Sequence, residues 1–392
     1  MPASRSIIIA GAGIGGLTAA LALARAGYRS VVLEQAARLE EAGAGIQLSP
    51  NATRVLIALG LGDRLRSRVI APEAIRVIDA RSARDIVRVP LAGAEARYGA
   101  PYWLIHRADL QALLVDAVDK SADVALHLGA RVDDYALHAH GITVEAKTAA
   151  GSRDEQGIAL IGADGLWSNL RARLSDRAAP QFAQRTAWRA MVPADGLAAD
   201  FRAPATTLWL GRDAHLVHYP VKGGKLVNIV AIIADTFDEP GWSAEGQRDD
   251  LLARFASFAA QARDLLALPQ RWQKWALFDR PVARAGQGPV TLLGDAAHPM
   301  LPFLAQGAAL AIEDAAVLAQ CLQQGGNDID GAMRRYEGLR RRRAARAQRE
   351  AQRNGARYHL SGLRAVARNM ALRAMGGERL LHRYDWLYGW TP

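Results

Sequence analysis

The chain begins with an apolar run, a glycine-rich stretch and a run with helical periodicity. Ser6 to Ala10 predicts a short buried strand, and the helix after it is predicted to reach about Ala26, where Gly27 ends it. A second apolar run, Ser30 to Glu34, predicts another strand. The order strand, helix, strand predicts a β-α-β unit in the first part of the chain.

Two later apolar runs also predict strands, and each leads to a glycine and an aspartate. The run Ile158 to Ile161 is followed by "GADG", which contains Asp164, and then by a short predicted helix. The run "GPVTLL" leads to Asp295 and, further on, to an alanine-rich helix predicted from about Ala308. Taken alone, Asp164 would be explained as an ordinary helix-capping aspartate.

The middle and the end of the chain have different patterns. Residues 181–284 are predicted to be rich in strands, among them "TTLWLG", "HLVHYPV" and "LVNIVAII". Within this region "DDLLARFASFAAQARDLL", residues 249–266, has the periodicity of one amphipathic helix. Residues 330–392 are predicted to be mostly helical, and no internal repeat or long linker interrupts the sequence.

Composition places the chain among soluble globular proteins. It has 392 residues, of which 50% are hydrophobic and 22% charged, so two domains are expected. The single cysteine excludes an intramolecular disulfide, and no apolar run reaches the length of a transmembrane helix. The N-terminal stretch has the composition of a signal peptide, but cleavage would destroy its glycine pattern. We therefore expect a cytoplasmic protein.

The net charge of +10 is unevenly spread. Ten arginines lie between Arg334 and Arg357, against only Glu337 and Glu350. Such a segment is either a surface for nucleic acid or anionic membrane, or a solvated helix face. Because Tyr336 is the only aromatic residue among the arginines, the sequence favours the solvated face and predicts no nucleic-acid or membrane partner.

Three glycines between the first strand and helix form the pattern G-x-G-x-x-G. Gly11 permits a tight turn, Gly13 lets the backbone approach a pyrophosphate, and Gly16 lets helix and strand pack closely. Glu34 ends the second strand near the distance expected for a carboxylate that binds ribose hydroxyls. A glycine-rich turn is the plain alternative, but the complete β-α-β context favours dinucleotide binding.

Taken in order, "GAGIGG", "GADG" and "GDAAHPMLPFLAQG" resemble the three motifs of the single-component FAD-dependent aromatic hydroxylases. The resemblance spans nearly the whole chain, and "GAGIQLSPNATRVL", "IHRADLQALL", "TAWRAMVPA", "HLVHYPVKGGKLVNIV" and "DWLYGW" support it. Within the family the chain is most similar to the salicylate hydroxylase and 3-hydroxybenzoate 6-hydroxylase group. This implies an α/β fold in which a Rossmann-like FAD-binding domain is interleaved with a β-rich substrate domain and followed by a helical C-terminus.

The resemblance also implies how the chain is divided. The expected parts are a discontinuous FAD-binding domain in 1–75, 100–180 and 285–330, a substrate-binding domain in 76–99 and 181–284, and a C-terminal helical segment in 331–392. A homodimer is an expectation from the family.

Further cofactor residues follow from the resemblance. Asp295 is expected to accept hydrogen bonds from the ribityl chain of FAD, and Arg107 to contact the ribityl or phosphate region. Asp164 is expected to have a structural role and also to contribute to cofactor binding. The loop with Pro302 and Gly307 and the helix that starts near Ala308 are expected to wrap the isoalloxazine. The positive end of that helix would stabilise negative charge on the reduced flavin.

The implied reaction uses NADH or NADPH, FAD and molecular oxygen. By the resemblance, a flavin C4a-hydroperoxide would hydroxylate a small aromatic acid of the hydroxybenzoate or salicylate type. His215 matches a family position proposed to assist deprotonation of the phenol, and a neutral imidazole suits a base near pH 7. Alternation along the strand places Val217 and Tyr219 on the face of His215 and His218 on the other face, so Tyr219 is expected to bind the substrate. The alternative is that His215 and Tyr219 are surface or core residues of a sheet without a role in the reaction.

Three further residues bear on the site. Arg189 would anchor a substrate carboxylate or would form a structural ion pair, and His298 is expected to be structural. Pro302 stands where the 3-hydroxybenzoate 6-hydroxylase pattern has a glutamine, which favours the salicylate-like branch.

Other functions remain as alternatives. His138 with His140, and His215 with His218, lack a third ligand at a suitable spacing, so no metal is expected. An FAD-dependent oxidase or dehydrogenase without oxygen insertion is the second candidate, and a non-enzymatic binder of nucleic acid or membrane is the third. Only one dinucleotide fingerprint is present, so the nicotinamide is expected to bind transiently.

Overall fold

The computed structural model describes residues 6–39, 44–139, 141–174, 178–241, 244–283 and 286–392. Its strands, numbered along the chain, are β1 (Ser6–Ala10), β2 (Arg29–Glu34), β3 (Gly45–Leu48), β4 (Ala74–Asp79), β5 (Asp85–Pro90), β6 (Trp103–His106), β7 (Val124–Leu128), β8 (Arg131–His138), β9 (Gly141–Thr148), β10 (Gly151–Gly157), β11 (Ala159–Gly162), β12 (Gln181–Pro193), β13 (Ala205–Leu210), β14 (Ala214–Val221), β15 (Leu226–Ala234), β16 (Ala244–Gly246), β17 (Trp272–Asp279) and β18 (Val290–Leu292). Its helices are α1 (Ile14–Arg25), α2 (Pro50–Ala58), α3 (Gly62–Arg66), α4 (Ala94–Tyr98), α5 (Arg107–Asp119), α6 (Asn169–Arg173), α7 (Ala199–Arg202), α8 (Arg248–Arg254), α9 (Ala260–Ala267), α10 (Gly307–Gly325), α11 (Ile329–Tyr358), α12 (Gly362–His382) and α13 (Asp385–Tyr388).

The strands β18, β11, β1, β2 and β7 form, in that order, a parallel sheet. Helices α1, α5 and α10 cover one face, and the antiparallel sheet β8–β10 covers the other. Because both faces are covered, Ile7, Ile8 and Ile9 of the central strand are fully buried. The predicted β-α-β unit is confirmed, and Gly27 follows α1 with a left-handed φ of 84°.

The three glycine motifs all follow strands of this sheet. β1 runs directly into Gly11, β11 leads to Asp164, and β18 leads to Asp295. Neighbouring parallel strands present their carboxyl ends at the same edge, where open α/β sheets bind their ligands. Motifs that are far apart in the sequence therefore meet at this edge.

A second, mostly antiparallel sheet has the order β16-β17-β12-β15-β14-β13-β4-β5. The strands predicted in 181–284 are confirmed as β13, β14 and β15. The single helix predicted over 249–266 is wrong, because α8 and α9 are separate helices. Between α8 and α9 the side chains of Phe255 and Phe258 are buried in the core. The N–H of Ala259 donates to the carbonyl of Ala80 at 2.7 Å, which ends the helical hydrogen bonding.

The C-terminal part is helical, as predicted. α11 packs along α10, and α12 packs on β5 and covers one face of the eight-stranded sheet. None of the helices in the described ranges combines the length and the apolar character needed to cross a membrane.

Candidate functional site

The loop between β1 and α1 has the geometry that phosphate binding requires. Gly11 has φ of 106°, and a Cβ there would lie 2.4 Å from the carbonyl oxygen of Ala163. A Cβ on Gly16 would lie 2.0 Å from the carbonyl oxygen of Gly11, whereas one on Gly13 would meet no atom within 4 Å. Close packing therefore requires Gly11 and Gly16, while the space at Gly13, before the N-terminus of α1, is open to an anion.

Glu34, at the end of β2, holds this loop in place. Its Oε2 accepts the N–H of Ala12 at 2.7 Å, and its Oε1 accepts the N–H of Ala36 at 2.8 Å. Each carboxylate oxygen keeps a further lone pair for a hydroxyl donor. Glu34 thus lies beside the fingerprint loop, as a contact with ribose requires.

Asp164 contributes a carboxylate to the same edge. Its Oδ2 accepts the N–H of Leu170 at 3.4 Å, but its Oδ1 is buried and has no hydrogen-bond partner among the described residues. Burial raises the pKa of the Asp164 carboxyl, against hydrogen bonds from Ser168 and Leu170 that favour its charged form. Ser168 is the residue that caps α6, since its Oγ accepts the N–H of Arg171 at 2.9 Å. The free oxygen of Asp164 is therefore available to a ligand.

Asp295, Arg107 and Gly307 lie together at the end of β18. The Oδ1 atom of Asp295 is 3.7 Å from the position that a Cβ of Gly307 would take. Arg107, the first residue of α5, is half-buried and interacts electrostatically with Asp295. Burial raises the pKa of the Asp295 carboxyl, although His298 and Arg107 oppose the rise. A half-buried carboxylate therefore faces the start of α10, close to a cation.

The loop between Asp295 and α10 turns twice. Pro302 begins a 3-10 turn, Pro302–Leu304, and Ala305 follows with a left-handed φ of 53°. α10 then begins at Gly307, one residue before the predicted Ala308. Within the described chain, neither a side-chain cap nor an acidic residue occupies its first turn. The N–H groups of this turn are available to an acceptor.

Two acidic residues inside the apolar helix α10 are fully buried and are paired with arginines of α11. Nη2 of Arg340 lies 2.8 Å from Oε2 of Glu313, and its Nε lies 2.5 Å from Oδ1 of Asp314. Nε of Arg343 lies 2.6 Å from Oε2 of Glu313. The expectation that the arginine-rich segment is a solvated face is wrong at these positions, because carboxylates buried in an apolar helix require paired cations.

Asp314 also fixes the loop that carries Asp295. Its Oδ2 accepts the N–H of Gly294 at 3.0 Å and lies 2.5 Å from Nε2 of His298. Burial alone would lower the pKa of His298, but the Asp314 carboxylate outweighs it and raises that pKa. Although burial opposes it, the same pairing with His298 and Arg340 lowers the pKa of Asp314. The structural role predicted for His298 agrees with this contact.

A hydrogen-bonded group from α2 supports the start of α10. Nδ2 of Asn51 donates to Oε1 of Glu313 at 2.6 Å and to Oε1 of Gln306 at 3.1 Å. Nε2 of Gln306 donates to Oγ of Ser49 at 2.8 Å. Sequence reasoning missed this group, although the adjacent acids in "GAALAIEDAAVLAQC" were a signal that buried partners must exist.

A cavity of about 400 Å³ lies between the eight-stranded sheet and α12. Its lining is mostly apolar and includes Val77, Leu208 and Leu372. Polar groups come from several elements, including Gln47, Tyr102, Thr206 and His215. The turn from Pro302 to Ala305, which belongs to the loop after Asp295, forms part of the wall.

His215 lies in this wall on β14, together with Val217. Its Nδ1 is 2.7 Å from Nε2 of His359, whose Nδ1 accepts the Nε–H of Arg185 at 3.1 Å. Burial, followed by the fields of His359 and Arg185, lowers the pKa of His215 well below its usual range. Burial and Arg185 lower the pKa of His359 to about 4. Both imidazoles are therefore neutral near pH 7.

The predicted alternation along β14 is confirmed for the two histidines. His218 points to the opposite face, where its ring lies 5.2 Å from that of Phe201 and 6.4 Å from that of Trp209. Neither of its nitrogens has a hydrogen-bond partner among the described residues. Burial lowers the pKa of His218 to about 3.

Tyr219 lies against Gly45 of β3, and Arg189 lies against Trp275 of β17. A Cβ on Gly45 would be 2.5 Å from Cε2 of Tyr219, and Tyr219 is not part of the cavity wall in the described chain. Arg189 stacks on Trp275, with Cζ 3.9 Å from the ring centroid, and forms no ion pair with any described residue. Burial lowers the pKa of Arg189 to about 10, and Arg107 adds to the shift. The structural ion pair suggested for Arg189 is therefore absent from the described part of the chain.

No metal site is found in the part of the chain that the structure describes. Groups of three or more histidines, cysteines or acids that could hold an ion do not occur there. His140, half of the His138 pair, lies outside the described residues.

The residues at the carboxyl edge of the parallel sheet fit an FAD. The open space at Gly13 suits a pyrophosphate, and the free Oδ1 of Asp164 can accept a hydrogen bond from a ligand. Asp295 and the first turn of α10 offer an acceptor and donors on one side of the same edge. These donors and acceptors are therefore compatible with a bound flavin dinucleotide.

Comparison with known sequences supports the same cofactor. Residues 4–351 match the family described as FAD binding domain. The chain is 40% identical to 3-hydroxybenzoate 6-hydroxylase 1 of Aquipseudomonas alcaligenes, over 98% of this chain and 97% of that protein. It is 37% identical to 3-amino-4-hydroxybenzoate 2-monooxygenase of Streptomyces cremeus, over 98% of this chain and 95% of that protein.

Solved structures share the whole fold. A salicylate hydroxylase substrate complex is 26% identical, covers 100% of this chain and 97% of its own, and superposes with a TM-score of 0.83. Klebsiella pneumoniae HpxO complexed with FAD and uric acid is 28% identical, covers 97% of this chain and 95% of its own, and has a TM-score of 0.85. The chain therefore belongs to the FAD-binding-domain family and is an FAD-dependent monooxygenase of the aromatic hydroxylase type.

Proposed function

We propose that this protein hydroxylates a small aromatic acid of the hydroxybenzoate or salicylate type in the cavity beside His215. The observation that carries the proposal is a shared wall: the turn Pro302–Leu304 belongs to the loop after Asp295 and also lines the cavity. An aromatic ring beside His215 would therefore lie next to the loop that we assign to the flavin. The apolar lining would exclude water from the ring.

The cofactor residues are proposed from the same geometry. Gly11, Gly13, Gly16 and Glu34 would hold the dinucleotide at α1, and the remaining contacts would come from Arg107, Asp164, Asp295, Pro302, Gly307 and Ala308. When bound, FAD supplies the acceptor for hydride from NADH or NADPH and the chemistry that activates oxygen. The chain's own residues bind, orient and shield the reactants.

The domain division is proposed with them: 1–75, 100–180 and 285–330 bind FAD, 76–99 and 181–284 bind the substrate, and 331–392 form the C-terminal segment. The strands of the two large sheets follow these limits except at the first two residues of β4, which supports the division.

Roles of the substrate residues follow from charge and position. His215 would contact the phenolic oxygen, because its imidazole lies in the cavity wall. Neither Arg189 nor Tyr219 belongs to the cavity wall among the described residues, so Arg189 would act on the carboxylate only through the field of its buried positive charge, which also reaches Tyr219. The names of the sequence relatives favour 3-hydroxybenzoate, whereas Pro302 in place of a glutamine favours salicylate, so both belong in the test.

We also propose a cytoplasmic location, which the dependence on NAD(P)H supports, and a homodimer, which rests on the family resemblance alone.

The experiment uses the FAD-loaded enzyme with NADH or NADPH, oxygen and 3-hydroxybenzoate, salicylate or 3-amino-4-hydroxybenzoate. Products are identified by mass spectrometry and hydrogen peroxide is measured in parallel. We expect at least one acid to gain an oxygen atom and to accelerate NADH oxidation, whereas peroxide alone would favour the oxidase alternative. The variant His215→Asn should lower product formation by a factor on the order of 10² to 10⁴. His218→Leu, on the other face of the same strand, is the matched control and should retain activity.

A further inference from the structure

His215 is the end of a chain of three side chains that begins at Arg185. The Nε–H of Arg185 donates to Nδ1 of His359 at 3.1 Å, and Nε2 of His359 lies 2.7 Å from Nδ1 of His215. Arg185 comes from β12, His359 follows the last residue of α11, and His215 comes from β14. The order of these contacts decides which nitrogen of each ring carries a proton.

A guanidinium has only donors and remains charged at all ordinary pH values. Nδ1 of His359 must therefore present its lone pair to Arg185, and a neutral His359 carries its proton on Nε2. That N–H donates to Nδ1 of His215, which must in turn be unprotonated. The remaining proton of a neutral His215 is then on Nε2, which has no hydrogen-bond partner among the described residues.

We propose that Arg185 and His359 are positioning residues that fix the Nε2–H tautomer of His215, so that His215 offers the substrate a hydrogen-bond donor and no lone pair. The identity of the group that receives this hydrogen bond, a phenolic oxygen, rests on the proposed function. The tautomer itself does not. This replaces the base predicted from the sequence with a donor.

A donor activates a phenol differently from a base. It stabilises the phenolate more than the neutral phenol and so lowers the pKa of the bound phenol, and the proton leaves to solvent water. For His215 to accept that proton at Nε2, it would need the Nδ1–H tautomer. His359 would then carry its proton on Nδ1, and two N–H groups would face each other across the contact with Arg185.

The charged groups around the pair favour the same state. Burial lowers the pKa of His359 most and Arg185 lowers it further, whereas Asp213 raises it less strongly than Arg185 lowers it, and Arg368 adds a smaller lowering. The aromatic rings of Phe303 and Tyr358 lie 5.6 and 5.4 Å from the ring of His215 and contribute no charge near pH 7. A second positive charge on either imidazole is therefore disfavoured.

The direct test is nuclear magnetic resonance of the FAD-loaded enzyme labelled with ¹⁵N-histidine. Long-range ¹H–¹⁵N correlations between pH 6 and 9 distinguish the two neutral tautomers and the imidazolium, and His215→Gln assigns the signal. We expect the Nε2–H pattern for His215 over the whole range. An Nδ1–H or doubly protonated ring would overturn the proposal, even if hydroxylation is observed. If His215 shows the Nε2–H pattern but the enzyme hydroxylates none of the acids, the tautomer assignment is supported and the proposed function is refuted.

Variants of Arg185 separate positioning from a structural effect. Arg185→Met removes the donor, and we expect a mixture of tautomers and a bound phenol whose pKa, read from its ultraviolet absorbance, rises by about one unit, a tenfold change in phenolate fraction. Arg185→Lys keeps a donor and should restore both readouts. An Arg185→Met enzyme with an unchanged tautomer and an unchanged phenol pKa would contradict the assignment. Because Arg185 is only half-buried, both Arg185 variants should fold, even if a variant of His359 does not.

Discussion

Arg340 of α11 and Asp314 of α10 are in direct contact, with 2.5 Å between Nε and Oδ1, and both are buried. Asp314 holds the N–H of Gly294 with its other oxygen. The contact therefore links the arginine-rich helix to the loop that we assign to the flavin. It gives part of the positive charge of residues 334–357 an internal function.

Removing the cation should destabilise the protein strongly. In Arg340→Met two buried carboxylates lose a paired charge, and we expect the free energy of unfolding to fall by about 3–5 kcal/mol. Arg342→Met, an exposed neighbour on the same helix, should change it by less than about 0.5 kcal/mol. Urea denaturation of the FAD-loaded proteins measures both, and equal effects of the two variants would refute the internal role.

Substitutions of Gly13 and Gly16 should have different effects, one on FAD binding and the other on stability. In Gly13→Ala the new methyl group enters open space, so the fold should survive while FAD affinity falls at least tenfold, because the backbone can no longer approach the pyrophosphate. In Gly16→Ala the methyl group would meet the carbonyl of Gly11, so the fold itself should be destabilised. Flavin titration and thermal unfolding of the apoprotein separate the two effects. Unchanged FAD affinity in Gly13→Ala would contradict the assignment of the phosphate site.

Asp295 should matter for cofactor retention and little for folding. Loss of a hydrogen bond to a charged group costs about 1.5–3 kcal/mol, so Asp295→Ala should weaken FAD binding by roughly 10- to 100-fold. Asp249, which is largely exposed in the first turn of α8, provides the control Asp249→Ala. Equilibrium dialysis measures the FAD affinity of both variants, and equal affinities would show that Asp295 does not bind the cofactor.

The fold is largely predictable because each motif is local. The order of strand, glycine motif and helix is written in consecutive residues, so the amino-acid sequence alone indicates the fingerprint at Gly11 and the loop at Asp295. The break between α8 and α9 is not predictable in this way, because Phe255 and Phe258 keep the helical spacing while their burial turns the chain.

The supporting contacts of the site are less predictable because they join distant segments. Arg185 and His359 are 174 residues apart, and nothing near either one marks it as a partner of His215. For Arg340 the sequence supplies only charge, and the run of ten arginines suggests solvent rather than Glu313 and Asp314.

Stability should fall in acid because buried histidines must stay neutral. The pKa of His218 is about 3 in the folded protein against an ordinary 6.5, so the unfolded state binds more protons between these values. The contribution of His218 is complete above pH 6.5 and is lost progressively as the pH falls toward 3. By pH 5 this loss amounts to about 2 kcal/mol.

His218→Leu should remove that part of the pH dependence. The difference in unfolding free energy between pH 7 and pH 5 should shrink by about 2 kcal/mol relative to the parent. His138→Leu, at an exposed position, should leave the difference unchanged. If His218→Leu and the parent lose the same stability between the two pH values, the imidazole is not held neutral by burial.

The fate of labelled oxygen shows directly whether the enzyme hydroxylates an aromatic acid. The FAD-loaded enzyme is incubated with ¹⁸O₂, NADH and 3-hydroxybenzoate or salicylate, and the mass of the aromatic product is measured by mass spectrometry. We expect a product that carries one ¹⁸O atom for each NADH oxidised. Oxidation of NADH that places all the label in hydrogen peroxide, with the ring unchanged for every acid, would contradict it.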